Sequence, residues 1–149
     1  MPIPPPDLSA RPLHMTAERM MQAPANALFR AWTEQLDRWL AAPGTVLMRP
    51  EAGTAFYFET HHGAERHPYY GRIIRLARDR LVELTWLSTG TGHAETVLTV
   101  ELTPAGGGTR LRLTQAGFPH EHLRKAHEDA WPTFLEHLDH AMTDRPDGD

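Results

Sequence analysis

His127 and Trp131 lie four residues apart and are the pair in this sequence best suited to chemistry in an apolar pocket. Side chains at this spacing share one face of a helix. An imidazole exchanges a proton near neutral pH, and it can also orient a bound molecule through a hydrogen bond. The pair predicts a ligand-orienting or proton-transferring histidine beside an aromatic wall. The alternative is a histidine that only satisfies a hydrogen bond of the fold.

The sequence contains ten histidines, which raises the question of a metal site. Zinc enzymes often carry the spacing H-E-x-x-H on one helix face, and this chain lacks it. Without a carboxylate at a fixed offset, these histidines are typical of solvated turns and helix surfaces, so we expect no metal. The groups considered are His61, His62 and His67 at a turn, His120 with His127, and His137 with His140.

Covalent catalysis finds little support in the sequence. The chain has no cysteine, and Ser9 and Ser88 lack the G-x-S-x-G context of a nucleophile elbow. Lys125 is the single lysine available for a Schiff base. The sequence leaves open whether the protein is an enzyme. Carboxylates of the C-terminal segment fall mostly on its polar face, which predicts solvated surface groups at Glu121, Glu128, Asp129 and Glu136.

The three glycines from Gly106 to Gly108 do not have the context of a phosphate-binding loop. Such a loop is followed directly by a lysine and a helix N-terminus. Here alternating apolar and polar residues precede the glycines, over 96–102, and follow them, over 109–114. Because that alternation is typical of a half-buried strand, the glycines predict the tip of a β-hairpin. No cofactor is expected.

The elements that position His127 and Trp131 follow from the same periodicities. An apolar repeat of three and four residues predicts a helix over 25–40, which Thr33 and Glu34 divide in two. A second such repeat, from Leu123 to Met142, predicts a long C-terminal helix, and Pro132 should kink or restart it. The predicted strands are 13–21, 45–49, 54–60, 69–76, 80–87, 96–102 and the second arm of the hairpin.

Sequential antiparallel strands with helices on one side indicate an α+β fold. The buried face of such a sheet needs a cover, and the last helix is the only element long enough. Most inward side chains are expected to be core. The aromatic and polar ones nearest the helix are the candidate ligand-binding residues, namely Phe56, Phe58, Tyr70, Trp86, Gln115, His127, Trp131 and Phe134.

Composition restricts the classes of partner. A net charge of −4 and a pI near 6.2 give no basic surface for nucleic acid. No apolar stretch is long enough for a membrane span, and the proline-rich start is unlike a signal peptide, so we expect a cytoplasmic protein without membrane insertion. The 149 residues predict one domain over 13–142. Disordered tails are expected over 1–12 and 143–149.

An ordered set of short motifs resembles the activator-of-Hsp90-ATPase-homologue-like branch of the START / Bet v 1-like (SRPBCC) superfamily. The clearest is the glycine run continuing to Thr114, followed by Gly117-Phe118-Pro119 and then His127 with Trp131. The sequence departs from the family pattern at Ala130, commonly glycine, and at Gln115, often histidine. The remaining matches are 29–33 with Trp39, Gly71 leading to 79–82 and 85–86, and 98–102.

The resemblance implies a helix-grip fold, in which a curved antiparallel sheet holds the C-terminal helix and encloses an apolar cavity. It also implies binding of a small hydrophobic or lipid-like molecule there. Two alternatives stay open. One is an enzyme similar to the cyclases and hydratases of the superfamily, and the other is an interaction protein with a chaperone partner, like the co-chaperone of Hsp90. Exposed sheet edges allow a homodimer.

Overall fold

The computed structural model describes residues 4–143. Six strands form one antiparallel sheet, and two α-helices accompany it. The α+β prediction, with a curved antiparallel sheet around a long C-terminal helix, is confirmed. The elements are β1 (Leu13–Met21), α1 (Ala25–Thr33), β2 (Ala55–His62), β3 (Glu65–Ala77), β4 (Leu81–Trp86), β5 (Thr96–Ala105), β6 (Gly108–Phe118) and α2 (Glu121–Thr143), with single 3₁₀ turns at Leu36–Arg38 and Thr89–Thr91.

The strand order is β1-β6-β5-β4-β3-β2, so the first strand pairs with the last one. The other strands are joined to their sequence neighbours as a meander. Helix α2 packs against β1, β6 and α1. Its buried face completes a core in which Trp32, Phe58, Leu98 and Leu113 are fully buried. Within residues 4–143, no helix combines the length and apolar character needed to cross a bilayer.

The long α2 begins at Glu121 and runs unbroken to Thr143 with Pro132 inside it. The helix therefore does not restart at Pro132, which was one of the two effects predicted for this proline; the other, a kink, stays a prediction. The buried residues on the C-terminal side of the proline continue the same stripe, ending at Leu138 and Met142. Proline has no N–H, so one hydrogen bond of the helix is missing at Pro132. Burial of the apolar face stabilises the helix despite this loss.

The glycine run forms a hairpin tip, as predicted. Ala105 pairs with Gly108 in the ladder of β5 and β6, which leaves Gly106 and Gly107 as the two turn residues. Their φ angles are 55° and 88°. A two-residue turn of this kind needs positive φ at both positions, which glycine adopts without strain.

Two predictions about the segment from α1 to β2 have different outcomes. The helix predicted over 25–40 is divided as expected, into α1 and the 3₁₀ turn that begins at Leu36. The strand predicted over 45–49 is wrong, because only an isolated bridge between Leu47 and Tyr57 forms there. Beyond this bridge the chain turns at Pro50, where the Glu51 N–H donates to the Arg49 carbonyl oxygen at 2.8 Å.

Strand β3 corrects the predicted phase of its side chains. Tyr69 lies opposite Phe58, and Ile73 lies opposite Leu84, on the inner face. The register then shifts between Ile73 and Arg75. Such a bulge inserts one residue and reverses the alternation. Tyr70, predicted to face inward, is instead 46% exposed and packs on Tyr57 of the outer face.

The predicted tails fall partly outside the described residues, which exclude 1–3 and 144–149. Residues just before β1 contact the sheet. The Arg11 guanidinium donates to the carbonyl oxygens of Gly117 and Glu95, at 2.7 and 2.8 Å. The side chain of Leu8 lies against Gly117. These contacts attach residues 8–11 to the end of β6.

Candidate functional site

A pocket of about 270 Å³ lies between α2, the inner face of β3 and β4, and the loop that follows β4. We call it the α2 pocket. Its wall contains aromatic, aliphatic and small residues and one histidine, and no charged side chain. The lining residues are Leu40, Tyr69, Trp86, Gly90, Leu123, Ala126, His127, Ala130, Trp131 and Phe134.

Four aromatic rings form most of the wall of the α2 pocket. The ring centroids of Trp86 and Trp131 are 5.8 Å apart. Tyr69 meets Trp86 edge to face at 5.6 Å, and Phe134 meets Trp131 in the same way at 5.9 Å. Both tryptophans are only 3% exposed. Edge-to-face pairs hold each other in one orientation, so the wall is already formed without a ligand.

A chain of buried hydrogen bonds fixes the two tryptophans. The indole N–H of Trp131 donates to Gln115 Oε1 at 2.8 Å. Gln115 Nε2 donates to the Thr96 hydroxyl at 3.0 Å, and this hydroxyl donates to the Trp86 carbonyl at 2.6 Å. Gln115 and Thr96 are fully buried. The relay connects α2 through β6 and β5 to β4, and each buried polar group in it has a partner.

The surroundings of His127 favour one tautomer and the neutral form of its ring. Its Nδ1 lies 2.8 Å from the Leu123 carbonyl oxygen, one helical turn earlier. A carbonyl oxygen only accepts, so Nδ1 carries the hydrogen. Burial lowers the pKa of His127 below its ordinary value, and the bond to Leu123 opposes this shift only in part. The ring is therefore neutral near pH 7, with a lone pair on Nε2.

The loop after β4 forms the side of the α2 pocket that faces His127. Ser88 caps its 3₁₀ turn, accepting from the Gly90 N–H at 3.1 Å, while the Ser88 N–H donates to the Thr91 hydroxyl at 3.1 Å. The serine is buried. Ser88 thus serves the turn, and Gly90 presents bare backbone to the imidazole.

The predicted ligand-binding residues divide into three groups. Trp86, His127, Trp131 and Phe134 line the α2 pocket together. Phe56, Phe58 and Gln115 are buried behind that wall, with the Phe58 ring 5.5 Å from Trp86 and Gln115 bonded to Trp131. Tyr70 lies on the outer face.

Several wall residues were missed by the sequence analysis. Leu123, Ala126 and Ala130 follow the spacing of His127 and Trp131 on α2, so the helical stripe contained the signal for them. Tyr69 was hidden by the bulge in β3. Gly90 and Leu40 belong to irregular segments, where periodicity gives no information about which side chains face inward.

The carboxylates of α2 lie away from the α2 pocket, as predicted. Glu121 and Glu128 both bind the Arg124 guanidinium, and Asp129 binds Lys125 at 2.9 Å. The hydrogen bond from Arg124 lowers the pKa of Glu121. No carboxylate therefore stands beside His127 in the wall of the pocket.

Of the histidines at the turn between β2 and β3, His61 belongs to an outer-face cluster, whereas the rings of His62 and His67 contact each other, with their centroids 5.1 Å apart. Glu59 accepts from the Tyr57 hydroxyl at 2.5 Å and lies 2.9 Å from His61 Nε2. The bond to Glu59 raises the pKa of Tyr57 to about 12. Within residues 4–143, no three His, Asp or Glu side chains come together as metal ligands would.

A larger hollow of about 440 Å³ lies between α1 and the turn that joins β3 to β4. Its wall mixes the charged residues Arg30, Glu34, Arg78 and Asp79 with Phe29 and Leu76. The two arginines are exposed to solvent. Since ligand sites usually combine an apolar wall with few polar groups, the smaller α2 pocket is the better candidate.

Comparison with known proteins gives one family and a set of similar folds. The model of the family described as activator of Hsp90 ATPase homolog 1-like protein matches residues 22–143. A protein from Chromobacterium violaceum is similar in structure, with 23% identity, a TM-score of 0.77, and coverage of 91% of this chain and 100% of that one. A protein from Mesorhizobium loti gives 21% identity, a TM-score of 0.76, and coverage of 90% and 99%.

The Aha1 dimer from Colwellia psychrerythraea is also similar, with 15% identity and a TM-score of 0.64. The alignment covers 87% of this chain and 96% of that one. At these identities the likeness shows the fold alone, which is the helix-grip fold. No curated protein matches the sequence.

Proposed function

The chain belongs to the activator of Hsp90 ATPase homolog 1-like family, and from this premise we propose that it binds a small hydrophobic molecule in the α2 pocket. The observation that carries the proposal is an aromatic pocket of about 270 Å³ beside an otherwise closely packed core. The pocket is a concavity that opens to solvent, and small-molecule sites are typically concave, mostly apolar and largely formed in advance. A space lined by apolar rings therefore supports a binding role.

The size of the α2 pocket limits the molecule. An apolar cavity of about 150 Å³ holds one benzene ring. At about 270 Å³, the α2 pocket has room for roughly two fused rings or a short branched chain. Burial of an apolar ligand contributes about 25 cal/mol for each Å² removed from water. A ligand of this size supports micromolar rather than nanomolar affinity.

Native mass spectrometry of the purified protein, beside a denatured control, tests the proposal together with a titration. We expect a non-covalent mass that is released on unfolding, or saturable quenching of tryptophan fluorescence by naphthalene or decanoic acid. Trp86 and Trp131 would report the quenching, because both line the α2 pocket. A clean mass together with the absence of saturable binding by either probe would overturn the proposal.

Catalysis is a second candidate function, favoured by one observation. His127 is neutral near pH 7, and its unprotonated Nε2 faces an apolar pocket. It is therefore in the protonation state that a general base needs to accept a proton from a substrate. It would act in a reaction of the cyclase or hydratase type. If the His127→Phe protein retains the full turnover of a substrate found by screening, this mechanism is excluded.

A chaperone partner and self-association are proposals that come from the comparisons. The family's description names Hsp90, and the Colwellia neighbour is described as a dimer. Exposed apolar side chains at Met20 and Leu47 would suit either contact. Light scattering after size exclusion gives the oligomeric state, and a pull-down with purified Hsp90 tests the partner. A monomer that does not retain the chaperone excludes both.

A further inference from the structure

We infer that the ligand of the α2 pocket is a neutral aromatic molecule of about two rings carrying an O–H or N–H donor, and that this donor binds Nε2 of His127. The inference rests on the proposed function and specifies its ligand. It is supported by the tautomer of His127, by the open space at Gly90, and by the absence of charged side chains from the pocket wall.

The tautomer decides the polarity of the contact. Nδ1 of His127 already donates to the Leu123 carbonyl oxygen at 2.8 Å. A neutral imidazole has one donor and one acceptor nitrogen, so Nε2 is the acceptor. Among residues 4–143, no side chain or backbone group donates to it. A ligand with an O–H or N–H group can therefore form a hydrogen bond to Nε2 of His127. A ligand that has only acceptors cannot form this bond.

Gly90 keeps this edge of the imidazole open. A β-carbon at position 90 would lie 3.4 Å from His127 Cε1 and 3.7 Å from Nε2. A side chain at this position would contact the edge of the ring that carries Nε2, whereas glycine leaves that edge clear. Because both residues line the α2 pocket, the space that glycine leaves belongs to the pocket and is available to a ligand group.

The remaining wall selects a flat, uncharged molecule. Rings of Tyr69, Trp86, Trp131 and Phe134 offer aromatic faces and edges. Trp131 has already committed its indole N–H to Gln115. A charged ligand would lose its hydration without an opposite charge in the wall, which disfavours its binding. The Tyr69 hydroxyl and the Trp86 indole N–H are further polar groups on wall side chains, so their contribution to binding must be separated from that of His127 by experiment.

Three probes of nearly equal shape test the inference on the unmodified protein. Naphthalene, 2-naphthol and 2-methoxynaphthalene are titrated by tryptophan fluorescence near pH 7.5, where His127 is neutral. A hydrogen bond with a net value of about 0.5–1.5 kcal/mol corresponds to roughly 2- to 13-fold. We expect 2-naphthol to bind more tightly than both other probes by a factor in this range.

The variants assign the preference to one atom. In His127→Phe, the affinity ratio of 2-naphthol to 2-methoxynaphthalene should fall to about one. His137→Phe, a matched change at an exposed position of α2, should keep the ratio. Should His127→Phe fail to fold, ¹⁵N NMR of the wild-type protein replaces it. We then expect 2-naphthol to shift the His127 Nε2 resonance, because its O–H donates to that nitrogen, and naphthalene to leave the resonance unchanged.

Each outcome distinguishes the inference from the proposed function. Equal affinities for the three probes would overturn the inference and leave hydrophobic binding standing. A preference that survives in His127→Phe and disappears in Tyr69→Phe would overturn the role of His127. If none of the three probes binds, the inference falls, and the proposed function falls with it only when the native mass is also clean and decanoic acid does not bind.

Discussion

The indole N–H of Trp131 on α2 and the side-chain oxygen of Gln115 on β6 are 2.8 Å apart, in a region closed to solvent. This bond connects the wall of the α2 pocket to the sheet behind it. Gln115 then continues through Thr96 to the backbone of Trp86. The orientation of the aromatic wall is therefore set by a buried amide that does not line the pocket itself.

Gln115→Leu should lower the free energy of unfolding by about 1–3 kcal/mol, because it leaves the Trp131 N–H buried without an acceptor. Urea denaturation measures the change. Gln22→Leu, at an exposed position, is the matched control and should alter stability by less than about 0.5 kcal/mol. In Trp131→Phe the same Gln115 change should cost clearly less, and equal costs in both backgrounds would contradict the coupling.

Ala130→Leu should fill the α2 pocket and weaken ligand binding at least about tenfold, since the new side chain would occupy space beside Trp131. Alanine and leucine both favour helix, so α2 should persist. Naphthalene titration provides the measurement. Thr133→Leu, on the exposed side of the same helix, should bind like the wild type. Unchanged affinity in Ala130→Leu would place the binding site elsewhere.

His127 should make stability depend on pH below about 6.5. Burial lowers the folded-state pKa of His127 below the ordinary value of 6.5. Between the two values the unfolded chain binds more protons, so stability falls as the pH falls through this window. About one pH unit or more above 6.5, the ring is neutral in both states and its contribution to stability is constant. The free energy of unfolding, measured by urea denaturation and plotted against pH, should fall more steeply with decreasing pH for the wild type than for His127→Phe below that range. Parallel plots would contradict the assignment.

Asp139 should be the most important carboxylate for stability. It is 4% exposed and accepts from the backbone N–H groups of Gln22 and Ala23 at 3.0 and 3.1 Å. Asp139→Ala should cost about 2–3 kcal/mol, because these donors lose a charged partner. Asp129→Ala on the same helix removes only an exposed ion pair with Lys125 and should cost less than about 1 kcal/mol. Thermal melts of both variants measure the two losses of stability. A larger loss in Asp129→Ala than in Asp139→Ala would contradict the prediction.

Pro132→Ala should stabilise the protein. Proline in a helix interior is about 3 kcal/mol less favourable than alanine, and Pro132 is exposed, so its ring contributes little burial. The alanine N–H can donate to the Glu128 carbonyl. We expect a gain of about 1–3 kcal/mol in urea denaturation, against a few tenths for Thr133→Ala next to it. A loss of stability would contradict this prediction and mean that the proline ring contributes more to packing than its exposure indicates.

The helical half of the site was predictable, whereas the sheet half was only partly so. A repeat of 3.6 residues holds over the whole of α2, so His127, Trp131 and Phe134 could be assigned to one face from spacing alone. Strand alternation fails at a single inserted residue. Because of the bulge after Ile73, Tyr69 faces inward where the alternation predicted Tyr70. Nothing in the local composition marks the inserted residue.

Burial and access are also different properties, and periodicity predicts only the first. Phe56, Phe58 and Gln115 were correctly placed on the inner face, yet tertiary packing puts them behind the wall. Gly90 shows the opposite case, because its contribution is the absence of a side chain next to His127. Such a contribution depends on how a loop meets a helix, which no local pattern encodes.

The pairing of β1 with β6 has a consequence for how the protein is made. Thr16 and Thr114 are partners across these strands although 98 residues separate them. During synthesis β1 leaves the ribosome before the other strands. It cannot pair with β6 until residues 108–118 have also been synthesised. The meander from β2 to β6 can assemble from adjacent segments in the meantime. We therefore expect the pairing of β1 with β6 to form later and more slowly than the meander, and β1 to stay without its strand partner until then.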